Sequence, residues 1–197
     1  MLSPEVVMAL AAQCAPSVEA STLLALARAE SGLDPYAIGV NGPKRGARPS
    51  PRNLDEAVAA ASALLGASHD IDLGLGQING RNLGRLGLNL RTAFEPCQNL
   101  AAAAQVLQEG YAQGAARHGD GQAALRVALS YYNTGGPTRG FANGYVARVL
   151  AAAGSAPPRP AARPAAEPDP PSPTPWDVFA RTRVRTAFVT TIPRSLP

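Results

Sequence analysis

Glu30 is the residue of this sequence best placed for acid chemistry. It lies in ARAESGLDPYAIGVNG, residues 27–42, at the end of an apolar helical segment and just before an Asp-Pro turn. At spacings of three, four and seven residues it shares a helical face with Ala27, Leu26 and Leu23. Burial and the negative end of the helix dipole both disfavour the carboxylate, so we expect a raised pKa and a general acid. The alternative is a glutamate at a helix end that reaches solvent.

Two further segments place polar side chains beside glycine. In GLGQIN, residues 74–79, Gln77 and Asn79 offer amide donors and acceptors of the kind that sugar hydroxyl and acetamido groups require. In ALSYYNTGG, residues 128–136, two tyrosines could stack on sugar faces and hydrogen-bond through their hydroxyls. Taken singly, each segment also fits a structural role, with Asn79 capping a helix and the tyrosines lying in the core.

Together the three segments resemble the catalytic domain of lytic transglycosylases. The stretches ESGLDPYAIGVNG, DLGLGQIN and SYYNTG are most similar to the branch associated with type IV secretion and conjugation, over about residues 5–150. The resemblance implies a mainly α, lysozyme-like α+β domain with a small β element. It also implies that Glu30 is the catalytic acid/base and that five residues bind substrate: Ser31, Gln77, Asn79, Tyr132 and Asn133. The pair Tyr132-Asn133 follows Ser-Tyr here, where the family more often has alanine before the pair.

The activity implied by this resemblance is cleavage of peptidoglycan glycan strands. The β-1,4 bond between N-acetylmuramic acid and N-acetylglucosamine would break with formation of a 1,6-anhydro ring, and no metal or cofactor is expected. A hydrolase is an alternative, because Asp70 or Asp72 could position a water. A glycan-binding assembly protein that does not cleave is the alternative from another class. His69 and His118 have no cysteine or carboxylate at a useful spacing, so we interpret them as loop residues.

The elements that must position these residues are mainly helices. Ser3-Pro4 predicts the start of a first helix, and Pro16-Ser17 predicts the start of a second one ending at Gly32. The other expected helix signals are a capping box at Asn53 and Glu56, a long helix from Pro96 interrupted near Gly110 and Gly114, a cap at Asp120 and a last helix over 143–153. DIDLGLGQIN predicts a short strand or loop between them.

The composition changes at about residue 155. We expect a catalytic domain over 1–154, a Pro/Ala-rich linker over 155–175 and a basic, aromatic tail over 176–197 that is disordered by itself. Eleven residues from 157 to 197 are proline, so this part contributes nothing to a core. Trp176 and Phe179 lie close to arginines, which is typical of a segment that binds a partner such as a secretion or conjugation component. A tail without a specific partner is the alternative.

The charge, the start of the chain and the two cysteines bear on the partner, the export and the cellular compartment of the protein. The net charge of +4 comes without a dense basic stripe, which argues against nucleic acid as a partner. The start of the chain has no basic region before its short apolar stretch, so it is a poor signal peptide. A missing leader, another export route or no export all stay open, although peptidoglycan as substrate points to the periplasm. In an exported protein we predict a disulfide between Cys14 and Cys97; in the cytosol they would be buried thiols.

Overall fold

The computed structural model of the chain describes residues 1–42 and 49–154. Seven helices occur in this part: α1 (Pro4–Cys14), α2 (Ala20–Ser31), α3 (Leu54–Gly66), α4 (Pro96–His118), α5 (Gln122–Thr134), α6 (Arg139–Ala142) and α7 (Tyr145–Ala152). None of them is long and apolar enough to cross a membrane. The predicted mainly α domain with a small β element, of the lysozyme-like α+β kind, is confirmed here. The predicted linker and tail, 155–197, lie outside the described residues.

The β element is a three-stranded antiparallel sheet. Its strands are β1 (Ile38–Val40), β2 (Ile71–Leu73) and β3 (Ile78–Asn79), in the spatial order β1-β2-β3. Side chains alternate between the two faces of a strand, so the buried residues Ile71 and Leu73 lie on one face and Asp72 on the other. Asp72 is opposite Gly39 on β1 and opposite Asn79 on β3. The sheet therefore presents a carboxylate between a glycine and an amide.

Helix α2 runs through the core. Six consecutive residues from Thr22 to Ala27 are buried, and a helix buried on every side is a core helix. It contacts α1, α4 and α7, and the predicted apolar face (Leu23, Leu26, Ala27) is fully buried. The helix starts at Ala20 and not at Pro16 as predicted, because the Val18 N–H first closes a turn on the Ala15 carbonyl. It ends at Gly32, as predicted, in the left-handed conformation with φ of 63°.

Helices α4 and α5 pack closely through glycines. The predicted interruption of α4 near Gly110 and Gly114 is wrong, because the helix runs continuously from Pro96 to His118. A Cβ at Gly114 would lie 2.6 Å from the Ala124 carbonyl oxygen, and one at Gly110 would lie 3.0 Å from that of Ala128. These glycines are therefore spacers that bring two backbones together, and their role depends on a neighbouring helix.

Two of the predicted N-terminal helix caps, Ser3 and Asn53, are present. The Ser3 hydroxyl accepts a hydrogen bond from the Val6 N–H at 3.4 Å, and the Asn53 side chain accepts one from the Glu56 N–H at 2.9 Å. The return bond of the capping box differs from the usual one, because the Glu56 carboxylate accepts from the Arg52 N–H.

The predicted cap at Asp120 is wrong. Gly121 precedes α5 without a side-chain cap, and the Asp120 carboxylate instead accepts from the Tyr111 hydroxyl at 3.5 Å. The region predicted as a last helix over 143–153 consists of α7, and the short helix α6 comes before it. Gly144 separates the two helices with φ of 76°.

The predicted disulfide is confirmed. Cys14 at the end of α1 is bonded to Cys97 in the first turn of α4. The two cysteines are 83 residues apart in sequence. In the chain-entropy model, closing so long a loop stabilises the fold by about 4–5 kcal/mol. The bond ties the first helix to the long helix that backs the sheet loop.

Candidate active site

A polar cleft of about 410 Å³ lies between the helices and the sheet. Side chains from α2, the sheet, α4 and α5 line it: Glu30, Asn41, Asp72, Gln77, Ile78, Asn79, Asn82, Val106, Tyr132 and Asn133. Amide groups predominate among them, and two carboxylates face the same space. A cleft with several amides and acids is suited to a ligand rich in hydroxyl and acetamido groups.

Glu30 reaches the cleft from the last turn of α2. The rest of this helical face is packed in the core, so the Glu30 carboxyl group is at the boundary between apolar residues and the cleft. The Tyr145 hydroxyl, from α7, donates a hydrogen bond to Glu30 Oε1. No other described side chain hydrogen-bonds this carboxyl group. Its second oxygen, Oε2, is therefore available to hold a proton.

The surroundings of Glu30 favour its neutral form. The pKa of Glu30 is raised to about 7, chiefly by burial and to a smaller extent by the nearby charge of Asp72. The hydrogen bond from Tyr145 and the positive charge of Arg148 act in the opposite direction. Burial also raises the pKa of Tyr145 well above its ordinary range, so its hydroxyl stays a donor. Glu30 can therefore exchange a proton near neutral pH, as a general acid and base must.

Asp72 belongs to a hydrogen-bonded group on the sheet side of the cleft. Asn79 donates to Asp72 Oδ1 at 2.8 Å, and Asn41 donates to Asp72 Oδ2 at 2.8 Å. Burial raises the pKa of Asp72, whereas these two amide bonds lower it. Asp70 accepts a second bond from Asn79 and pairs with Arg81 at 3.5 Å, but it is not among the cleft-lining residues.

The loop between β2 and β3 is held at Gly76 from both sides. Its N–H donates to the buried Asn99 side chain at 2.7 Å, and its carbonyl accepts from the Tyr132 hydroxyl at 2.6 Å. A Cβ at Gly76 would lie 2.8 Å from the Ala103 Cβ, so glycine is needed for this close approach. Gln77 follows in a left-handed conformation, with φ of 49°, and this places its side chain over Gly39.

Residues 7–151 match the family of the transglycosylase SLT domain. The chain belongs to the transglycosylase SLT domain family. The lytic transglycosylase family predicted from the three sequence segments is therefore confirmed, and the cleft described above lies within its SLT domain.

Several proteins that are similar in sequence to this chain carry the name virB1. Protein virB1 of Agrobacterium fabrum is 44% identical over 170 residues, which cover 86% of this chain and 68% of that protein. Protein virB1 of Rhizobium radiobacter is 46% identical over 145 residues, 74% of this chain and 59% of that protein. Type IV secretion system protein virB1 of Brucella abortus is 38% identical over 152 residues, 74% of this chain and 63% of that protein. No solved structure matches the chain.

The structure brings four of the five predicted substrate-binding residues to the cleft that holds Glu30: Gln77, Asn79, Tyr132 and Asn133. Ser31 does not line the cleft, and its hydroxyl donates to the Ala27 carbonyl at 3.1 Å. The amide nitrogen of Gln77 donates to the Ala37 and Gly74 carbonyls, which leaves its oxygen as the group for a ligand. The roles assigned to these residues stay predictions.

Several residues of the site were not found from the sequence. Tyr145 is the most important, and it is 115 residues from Glu30, its hydrogen-bond partner. Asn41 and Asn99 were missed as well, although Asn41 lies within the stretch that resembles the family. Each of these residues acts through a contact with another element. Periodicity within one segment contains no signal for such contacts.

Proposed function

We propose that this protein is a peptidoglycan lytic transglycosylase of the type IV secretion branch. Its substrate is the glycan strand, and the bond it breaks is the β-1,4 link from N-acetylmuramic acid to N-acetylglucosamine. The product carries a 1,6-anhydro ring on the muramoyl residue. The chain spans 59–68% of the lengths of the virB1 relatives named above, so the proposal concerns the SLT domain and its cleft.

The observation that carries the proposal is the environment of Glu30. Its carboxyl group has a pKa near 7 and accepts one hydrogen bond from Tyr145, and Glu30 lines a cleft rich in amide side chains. A carboxylic acid that is partly protonated at neutral pH can donate a proton and then accept one. A protein that only binds glycan needs hydrogen bonds and stacking, but no acid of this kind.

In the first step Glu30 donates its proton to the glycosidic oxygen. The bond from that oxygen to the anomeric carbon breaks, its electron pair stays on the oxygen, and N-acetylglucosamine leaves with a 4-hydroxyl group. The cationic muramoyl carbon is stabilised by the substrate's own acetamido group. In the second step the Glu30 carboxylate accepts the proton of the muramoyl 6-hydroxyl, whose oxygen bonds to the anomeric carbon. Glu30 is protonated again, and no water is consumed.

Product analysis tests this reaction. Purified peptidoglycan is digested with the protein, and the released muropeptides are measured by mass spectrometry before and after borohydride reduction. Transglycosylation gives anhydro-muropeptides, which are lighter than hydrolysis products by one water and are not reduced. Reducible muropeptides as the main product would contradict the proposal.

Hydrolysis is the second candidate reaction, and the position of Asp72 in the cleft favours it. This carboxylate lies in the same cleft as Glu30, whereas Asp70 does not. A second carboxylate could take a proton from a water that attacks the anomeric carbon. Both oxygens of Asp72 already accept amide hydrogen bonds, which favours a role in fixing Asn41 and Asn79. The product analysis above separates the two reactions.

The proposed setting is the periplasm, where the protein would open the cell wall locally for assembly of a secretion or conjugation machine. The relatives named type IV secretion system protein virB1 support this setting. The Cys14–Cys97 disulfide also supports it, because such bonds persist in oxidising compartments.

For residues 155–197 we keep the proposal of a segment that recruits a secretion partner and is dispensable for cleavage. Truncation after Gly154 separates the two parts of this proposal. A truncated protein that fails to digest peptidoglycan would contradict the domain boundary. A truncated protein that supports secretion in cells as well as the full chain would contradict the recruitment role.

A further inference from the structure

Asn99 is a buried amide that holds the loop between β2 and β3 (residues 74–77) from outside the cleft. It lies in the first turn of α4, is fully buried and is not among the cleft-lining residues. Its oxygen accepts from the Gly76 N–H at 2.7 Å, and its nitrogen donates to the Leu73 carbonyl at 2.9 Å and the Ala93 carbonyl at 2.7 Å. One side chain therefore joins α4, the loop and the segment that precedes α4.

The loop backbone lies directly against this amide. Gly74 has a left-handed conformation with φ of 72°, and a Cβ there would lie 2.5 Å from Asn99 Nδ2 and 2.6 Å from the Ala93 carbonyl oxygen. Only glycine leaves room for so close an approach. Since no side chain lies between Asn99 and the loop, a change at Asn99 acts on the loop backbone itself.

The loop in turn sets the position of Gln77, which lines the cleft. Gln77 has a φ of 49°, a conformation that a residue other than glycine keeps only when its surroundings fix it. The bond from the Gly76 N–H to Asn99 fixes the residue immediately before it. The Gln77 amide oxygen lies over Gly39, where a Cβ would be only 2.6 Å away. A shift of the loop therefore moves this oxygen, the group of Gln77 that is left for a ligand.

The Gly76 peptide also links Asn99 to Tyr132. Its N–H donates to Asn99, and its carbonyl accepts from the hydroxyl of Tyr132, which lines the cleft beside Glu30. Asn99 thus acts on two cleft residues through a single peptide group. The disulfide at Cys97, two residues before Asn99, ties this turn of α4 to α1 and keeps the turn in place when the Asn99 side chain is replaced.

We propose that Asn99 is a positioning residue for glycan cleavage: it fixes the Gly76 peptide and, through it, Gln77 and Tyr132 in the arrangement that the bound strand requires. The inference rests on the proposed function and adds a residue outside the cleft on which the rate depends. Because Asn99 does not line the cleft, its loss should lower kcat more than it raises KM. A misplacement of about 1 Å at a reacting site can cost about 10²-fold in rate.

The test measures kcat and KM of the full chain for release of new strand ends from soluble, uncrosslinked glycan strands. The variants are Asn99→Ala, Asn99→Asp, Gln77→Ala and the two double variants. An aspartic acid keeps the acceptor for the Gly76 N–H, and its protonated form can donate to one of the two carbonyls. Thr22→Ala is the matched control, because Thr22 is an equally buried polar residue that does not line the cleft. Rates are divided by the folded fraction, measured by near-ultraviolet circular dichroism.

A double-mutant cycle separates positioning from support of the fold. A residue that acts through the loop has little further effect once the Gln77 side chain is removed, whereas a general loss of folding lowers the rate equally in both backgrounds. If Asn99→Ala does not fold, Asn99→Asp takes its place in the same cycle.

We expect Asn99→Ala to lower kcat by about 10- to 100-fold and to change KM by less than about threefold. Asn99→Asp should recover part of the loss, Thr22→Ala should keep the kcat of the folded protein, and Asn99→Ala should cost less than about threefold in the Gln77→Ala background. An equal loss in both backgrounds, an unchanged kcat or an equal loss with Thr22→Ala would overturn this inference. Reducible ends in place of anhydro ends would contradict the proposed function alone, because the variants are compared by total strand ends.

Discussion

The two carboxyl groups of the cleft belong to different elements. We call the side of the cleft formed by α2, which holds Glu30, the helical wall, and the side formed by β2, which holds Asp72, the sheet wall. Glu30 belongs to a core helix, lies next to apolar side chains and receives one hydrogen bond, from Tyr145. Asp72 belongs to a short strand and receives amide hydrogen bonds from Asn41 and Asn79. The helical wall thus offers little compensation for a negative charge, whereas the sheet wall offers two neutral donors.

This difference separates the chemistry of two similar groups. Burial raises the pKa of both carboxyl groups, to about 7 for Glu30, and the two amide hydrogen bonds act in the opposite direction on Asp72 by favouring its charged form. The charge of Asp72 then helps to keep Glu30 protonated. One carboxyl group is therefore suited to exchange protons, and the other is suited to fix amides and to tune its neighbour.

Removing the acid on the helical wall has the largest expected effect. Glu30→Gln keeps the size of the side chain and removes its proton exchange, so cleavage should fall by about 10²–10⁴-fold. Release of anhydro-muropeptides measures it. Glu19→Gln is the matched control, because Glu19 is an exposed carboxylate next to the same helix. A Glu30→Gln protein that keeps more than roughly a tenth of the activity would exclude the acid/base role.

Removing the charge on the sheet wall should have a smaller effect. Asp72→Asn takes away a negative charge that raises the pKa of Glu30, and it disturbs the bonds to Asn41 and Asn79. We expect about a tenfold loss of kcat/KM, equal to about 1.4 kcal/mol, and an alkaline limb of the pH profile shifted to lower pH.

The control for Asp72 is Asp70→Asn, a neighbouring carboxylate that also binds Asn79 but does not line the cleft. It should leave the alkaline limb in place. A drop with Asp72→Asn as large as that of Glu30→Gln, together with reducible products, would assign Asp72 a direct role in hydrolysis.

Removing the hydroxyl of Tyr145 should shift the alkaline limb of the pH profile to higher pH, opposite to the effect of Asp72→Asn. Its hydrogen bond lowers the pKa of Glu30, so Tyr145→Phe raises that pKa and moves the alkaline limb to higher pH. We expect activity near pH 6 to fall by only about two- to fivefold, since a neutral hydrogen bond contributes about 1 kcal/mol. Tyr111→Phe removes a hydroxyl that binds the Gly121 N–H and should leave the pH profile unchanged. A shift of the limb to lower pH in Tyr145→Phe would contradict this account.

The free energy of unfolding should also reflect the raised pKa of Glu30. The pKa of Glu30 is raised in the folded state above 4.5. The contribution of Glu30 to the free energy of unfolding is therefore complete below about pH 4.5 and is lost as the pH rises through about 7. Glu30→Gln lacks this dependence and should gain stability relative to the unchanged protein over that range, by at most about 3 kcal/mol. Urea denaturation at about pH 5 and about pH 8 measures the difference. If Glu30→Gln raises the free energy of unfolding by the same amount at both pH values, the raised pKa of Glu30 is contradicted.

The helical wall could be predicted from the sequence better than the sheet wall. The spacing of Leu23, Leu26 and Ala27 from Glu30 shows which face of α2 is buried, because helical periodicity is local information. The caps at Ser3 and Asn53 could be predicted for the same reason.

The features that could not be predicted depend on contacts between distant segments. Gly110 and Gly114 suggest a break in a helix taken alone, and only the approach of α5 explains why α4 continues through them. Tyr145 meets Glu30 through the packing of α7 on α2, and Asn99 reaches Gly76 from α4. Such partners are set by tertiary packing, and local patterns do not contain them.

The central claim is that Glu30 is an acid with a pKa near 7 in the folded protein. The most direct measurement is an NMR titration of its side-chain carboxyl carbon, assigned by comparison with Glu30→Gln. The account predicts a midpoint at about pH 7, shifted down in Asp72→Asn and up in Tyr145→Phe. A midpoint near the ordinary value of 4.5 would contradict it, because Glu30 would then be ionised at neutral pH and could not donate the proton that the reaction requires.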